Sequence, residues 1–198
     1  MHGLFKDKFR IPSARLPKWD YTRAAGYFVT LCTKGSVHSF GDVVEGEMIL
    51  SPMGRIVAEE WQKTPRLRLN VELDQWQIMP NHLHGILILK EVETARRAVS
   101  RRGGSPTLGT PGETPQRGVS TQDHSRLKAG SLGAIIGQFK SACTKRIWSA
   151  GFSEFAWQAR FYDHIIRNQE SLDKIRDYIL HNPVMWETDK DEPENLYM

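Results

Sequence analysis

Two histidines one residue apart, His82 and His84, stand near the head of the run MPNHLHGILIL, residues 79–89. Side chains alternate along a strand, so His82, His84, Ile86 and Ile88 share one face, and Leu83, Gly85, Leu87 and Leu89 the other. The two imidazoles then stand about 7 Å apart at the backbone. That spacing suits two ligands of one metal ion, and equally a polar start to an ordinary strand. A second stretch, QESLDKIRDYILHN (169–182), has helical periodicity, with Leu172, Ile175 and Ile179 as its buried stripe. Tyr178 sits at the edge of that stripe, with Ile175 and Asn182 as its helical neighbours. A phenol with a free pKa of about 10 is a poor nucleophile. It attacks a phosphodiester well when a cation neutralises the phosphate and the site is preorganised. A cation held by His82 and His84, with the Asn182 amide oxygen as third ligand, would be a mixed N/O set suited to Mg²⁺ or Mn²⁺ acting as a Lewis acid. Because Asn182 precedes Pro183, it is biased away from helical dihedrals, which loosens its placement beside Tyr178.

Each piece also has a plainer reading. A His-x-His pair is commonly structural, a tyrosine on an amphipathic helix is commonly a core-edge residue, and an asparagine before proline is commonly a helix stop. His164, inside FYDHII, is expected to make a structural hydrogen bond, with a DNA contact or a proton relay as alternatives. Lys140, Lys145, Arg146, Arg160 and Arg167 form a group that could line a path for DNA, since phosphate contacts dominate such affinity.

The elements that must position these groups follow from pattern. GYFVTLCT (26–33) reads as a strand, and 40–50 as a hairpin turning at Glu-Gly. MGRIVAEEWQK after Pro52 has helical spacing, and Pro65 is expected to stop it. VELDQWQIM (71–79) alternates, and Pro80-Asn81 turns the chain into the histidine strand. Ser131 caps a helix over 131–148 whose apolar stripe is Leu132, Ile135, Ile136, Phe139, Cys143 and Ile147. Residues 155–166 read as a strand running into a turn, and a last helix, capped by Asn168, is expected to end at Pro183. Antiparallel strands with helices on the faces make an α+β sheet domain, and neither GxGxxG nor GxxxxGK[ST] is present to cradle a nucleotide.

A chain of 198 residues with 39% hydrophobic and 25% charged residues is sized for one globular domain with an insertion. The insertion is 91–130, rich in Gly, Pro, Ser, Thr and Arg, a composition that reads as a mobile, solvated linker. Counted from Lys90, residues 90–130 carry eight Lys/Arg against four Asp/Glu, a surplus that accounts for the net charge of +4. That balance permits a polyanionic partner. No apolar run is long enough to span a membrane, the basic N-terminus lacks a signal-peptide core, and Cys32 and Cys143 lie far apart, so a reducing cytoplasm is expected.

MPNHLHGILIL, LGAIIGQFKSACTKRI and WQARFYDHIIRNQESLDKIRDYILHNPV together resemble the REP-associated tyrosine transposases, within the IS200/IS605-like single-Tyr (Y1) group of HUH endonucleases. YFVTLCT and GDVVEGEMILSPMGRIVAEEW extend the resemblance to nearly all the chain outside 91–130. It implies a ferredoxin-like antiparallel sheet flanked by helices. It also implies a divalent-metal site, Mg²⁺ or Mn²⁺, at His82 and His84, and Tyr178 as nucleophile in its Y-x-x-x-N-P setting. Asn182 stands where related insertion-sequence enzymes carry a third polar ligand. The implied reaction is cleavage and rejoining of single-stranded DNA at hairpins through a 5′-phosphotyrosine, without ATP. A monomer is favoured over a homodimer, associated with the nucleoid in the cytoplasm. Two rivals stand beside this reading: a domesticated hairpin-binding protein without transposition activity, and a hydrolase using a zinc-bound water on the histidine pair.

Overall fold

The computed structural model describes residues 19–91 and 128–186, with Leu16 and the strands Leu4–Phe5 (β1) and Lys8–Phe9 (β2) ahead of them. The expected insertion at 91–130 falls almost wholly outside these residues.

Alternation organises the rest. β3 (Ala25–Cys32), β6 (Val71–Met79), β7 (His82–Leu89) and β8 (Tyr162–Ile166) form one sheet in the order β6-β7-β3-β8, every neighbouring pair antiparallel. The helices α1 (Pro52–Leu67) and α2 (Leu132–Ser149) connect β3 to β6 and β7 to β8. Two β-α-β units interleaved in that order give the ferredoxin-like α+β arrangement. A hairpin, β4 (Gly41–Val44) and β5 (Glu47–Leu50), turns at Glu45 and Gly46, whose φ values of 51° and 79° both lie in the left-handed region tight hairpins require.

One face of the sheet carries the main core. Tyr27, Val29 and Leu31 of β3 and Leu83, Leu87 and Leu89 of β7 pack against Val57 and Trp61 of α1 and Ile135, Ile136, Phe139 and Cys143 of α2. Trp61 and Phe139 meet edge to face at 5.1 Å. Gly85 makes room for this: a Cβ there would lie 2.5 Å from Trp61 Cζ2. Arg146 ties the two helices together through Glu59 (2.6 Å) and Glu60 (2.7 Å).

The opposite face is covered by α3 (Gln169–Met185). Here Phe28, Ile86 and Ile179 are buried, with Leu172, Ile175 and Tyr178 packed around them. Arg176 locks the helix to β6 by a two-pronged contact with Asp74, Nε to Oδ1 at 2.9 Å and an Nη to Oδ2 at 2.6 Å. Asp74 lies where β6 shifts register between Leu73 and Trp76.

Three sequence expectations are corrected. Pro65 and Pro183 do not stop their helices, which run on to Leu67 and Met185. Each proline lies two residues from its helix's end, where its missing N–H and the crowding of its ring against the preceding turn do not stop the helix. Asn182 accordingly stays helical. In 155–166 the strand comes at the end, Tyr162–Ile166, and the stretch before it is irregular apart from a bridge between Thr33 and Trp157.

Candidate functional site

The register of β3 against β7 sets Cys32 opposite His82, Thr30 opposite His84 and Phe28 opposite Ile86, all on the face that α3 covers. Cross-strand partners stand close enough for direct contact, and Thr30 Oγ1 lies 2.9 Å from His84 Nδ1. Asn81 Oδ1, in the turn before β7, accepts from His82 Nδ1 at 2.6 Å. With its Nδ1 proton committed, the His82 ring turns an Nε2 lone pair inward, and the Thr30 hydroxyl, able to donate or accept, holds the orientation of the His84 ring. The two Nε2 atoms are 2.9 Å apart. His82 is 8% exposed and His84 1%. Burial pushes the His82 pKa down to about 4 and holds His84 well below the usual histidine range, with His82 adding to the effect. Both imidazoles are therefore neutral near pH 7.

Two neutral nitrogens aimed at each other across that distance form a donor pair. Ligands at adjacent corners of an octahedron with bonds of about 2.1 Å stand about 3.0 Å apart, so the histidine pair fits one edge of a divalent-cation site. Among the described residues no third His, Cys, Asp or Glu joins them. Any remaining ligands would come from other groups than these side-chain types.

Tyr178 comes from α3. Its ring packs at 5.3 Å from that of His84 and edge-on to Phe28 at 6.3 Å, and its hydroxyl lies 3.3 Å from His84 Nε2. Phe28 also stacks on His84 at 5.4 Å. The three residues singled out in sequence, His82, His84 and Tyr178, thus converge. Asn182 is buried one turn beyond Tyr178, and among the described residues no hydrogen bond links its amide to either imidazole. At the mouth, Trp186 lies 5.9 Å from His82 and 5.6 Å from His38, ring centre to ring centre.

No family model matches the chain. An uncharacterized protein of Haemophilus influenzae is 33% identical over 180 residues, covering 90% of this chain and 91% of that protein. Among solved structures, a REP-associated tyrosine transposase bound to a REP hairpin aligns with a TM-score of 0.52 and 18% identity, covering 86% of this chain and 73% of that one. The chain belongs to one family with the Haemophilus protein, and its fold is that of the REP-associated tyrosine transposases. A transposase candidate from Deinococcus radiodurans aligns over 84% of this chain and 95% of its own, at 15% identity and a TM-score of 0.38, which adds nothing to the assignment.

Within this transposase fold the basic group divides. Lys145 and Arg146 lie on α2, on the far side of the sheet, with Arg146 engaged by Glu59 and Glu60. The Lys140 ammonium donates to the carbonyls of Gln158 (2.8 Å) and Arg160 (2.9 Å) beneath Trp157, and burial lowers its pKa to about 8. Its position is that of a brace for the segment before β8. Arg160 and Arg167 flank β8 and are exposed. His164 is exposed on β8, opposite Phe28. The sequence reading missed Thr30, Asn81, Phe28 and Trp186. Thr30 carried a faint signal, a polar residue on the histidine face of an otherwise apolar strand.

Proposed function

We propose that this chain cleaves and rejoins single-stranded DNA at hairpin elements, with Tyr178 as nucleophile and a divalent cation, Mg²⁺ or Mn²⁺, held by His82 and His84. The observation that carries the reading is the placement of the Tyr178 hydroxyl 3.3 Å from an imidazole nitrogen that itself faces a second at 2.9 Å. When bound, the cation would neutralise phosphate charge and lower the barrier to attack.

The chain's own groups do the rest. Asn81 holds the His82 tautomer and Thr30 the orientation of the His84 ring, which limits the reorganisation needed when substrate arrives. Phe28 packs against both Tyr178 and His84 and limits the swing of the phenol. The Tyr178 oxygen attacks phosphorus and its proton leaves to solvent. The bond from phosphorus to the 3′-oxygen breaks, and that oxygen takes up a proton to become a free 3′-hydroxyl. A 5′-phosphotyrosyl link remains, and attack by a 3′-hydroxyl reverses the step and joins strands. Bond energy is conserved in the link, which is why no nucleotide cofactor is needed. Asn182 is the candidate for a further oxygen ligand, and Arg160 and Arg167 for phosphate contacts near the site. The contact of Tyr178 with His84 within one chain supports a tyrosine acting in cis, and with it a monomer over a homodimer.

The zinc-water rival needs three protein ligands in its usual form, and among the described residues no group of three His, Cys, Asp or Glu side chains forms such a set. Denaturing electrophoresis after incubation with labelled hairpin DNA and Mn²⁺ tests the proposal. Wild type yields label retained on the protein, and Tyr178→Phe yields none. Hairpin binding with no retained label from wild type supports instead a binding module without transposition activity. Cleavage that persists in Tyr178→Phe supports hydrolysis by water.

A further inference from the structure

On the α3 face, beside the Tyr178–His84 contact, a cleft of about 340 Å³ opens between the edge strand β8 and the first two turns of α3. Phe28 and Ile175 floor it, His164 forms one wall, and Asn168, Ser171 and Lys174 stand at its rim. Its size is at the lower end of the roughly 300–1,000 Å³ of small-ligand sites, enough for one compact planar group.

The cleft and the candidate catalytic site share a wall. The Phe28 ring that floors the cleft stacks on His84 and meets Tyr178 edge-on. Ile175, also in the floor, precedes Tyr178 by three residues, about 4.5 Å along the helix axis. Anything seated in the cleft therefore lies within about a nucleotide's length of the phosphate that Tyr178 would attack. The chemistry of the walls is that of a base site. Phe28 and Ile175 supply apolar lining, His164 an imidazole, and Asn168, Ser171 and Lys174 amide, hydroxyl and ammonium groups. Glu170 pairs with Lys174 at 2.7 Å, so neither charge dominates; both side chains are about three-quarters exposed and can turn aside.

His164 makes the case specific. The sequence reading gave it a structural hydrogen bond, yet among the described residues it makes none, and it stands exposed at the position in register with Phe28. An exposed aromatic ring with no structural task, opposite a second ring, is how proteins present stacking surfaces to single-stranded nucleic acid. The geometry points to this cleft as the seat of one unstacked base of the single strand, next to the phosphate that Tyr178 attacks; this rests on the reading above. His164 is then the residue that grips the base by stacking.

The test reads binding alone. Full-length Tyr178→Phe protein is titrated with hairpin DNA carrying single-stranded flanks from its own gene, with one abasic site walked through the flank. At one position, loss of the base weakens binding on the order of ten-fold. His164→Ala weakens binding of intact DNA by a similar factor, and the abasic site then costs nothing further. His164→Phe, which keeps a stacking face, restores most of the loss. Losses that multiply at every position, or normal binding by His164→Ala, overturn the proposal. Failure to bind any such flank overturns both it and the reading it rests on. Wild-type protein that binds but never acquires DNA on Tyr178 overturns the proposed reaction and leaves the base-site result standing.

Discussion

The two faces of the central sheet are built from alternate residues of the same strands, and they are made for different tasks. Toward α1 and α2, β3 and β7 present Tyr27, Val29, Leu31, Leu83, Leu87 and Leu89, part of a continuous core. Toward α3 the same strands present Phe28, Thr30, His82, His84 and Ile86. The buried apolar set there is only Phe28, Ile86 and Ile179. Burial of apolar surface is the main source of stability, so the α1/α2 face carries most of it. That leaves the α3 face free to bury imidazoles at a cost. Gly85 expresses the division in one residue: it lets Trp61 lie flat on one side while its neighbour His84 points to the other.

Trp61→Ala should break the contrast most strongly. It empties the middle of the core and costs about 3–5 kcal/mol, read as a lower denaturation midpoint in urea. Protein that remains folded should bind Mn²⁺ with unchanged affinity. Thr30→Val probes the other face. It leaves shape intact and removes the group that orients His84. Mn²⁺ affinity measured by calorimetry should fall about 10–100-fold; an unchanged affinity would show that Thr30 does not orient the ring. The smallest effect belongs to the clamp that seats α3. Asp74→Asn should cost on the order of 1 kcal/mol near pH 7. The Arg176 guanidinium holds the Asp74 carboxyl below the usual carboxylate range, ahead of an opposing effect of burial. The wild-type advantage is therefore complete above about pH 4, the unfolded carboxylate value. It disappears as pH falls through the lower folded value. Urea midpoints of the two proteins should converge in acid, and a gap that widens there would contradict the assignment.

Much of this division could be read from residues alone. β6 and the start of β7 fall at their predicted positions because alternation over eight or nine residues is a strong signal. The stripe Leu172, Ile175 and Ile179 placed Tyr178 at a boundary, and the boundary turned out to be the one with His84. What could not be read depends on register. Thr30 and His84 are 54 residues apart, and nothing local says that they pair. Phe28 reads as plain core until its partners are known. Pro183 gave a strong local signal that failed, because one lost hydrogen bond near a helix end is outweighed by packing. Asn182 was placed on the right helix, but its link to the imidazoles rested on helical spacing and resemblance, and the geometry leaves it one turn beyond Tyr178 without a bond to either ring.

The most direct measurement is the mass of the peptide containing Tyr178 after wild-type protein has been incubated with Mn²⁺ and single-stranded DNA from its own gene's flanks, then digested with protease and nuclease. The account predicts a nucleotide remnant on Tyr178, absent when Mn²⁺ is withheld and absent from Tyr178→Phe. Cleaved DNA with an unmodified Tyr178 peptide, or a remnant on another residue, would contradict it.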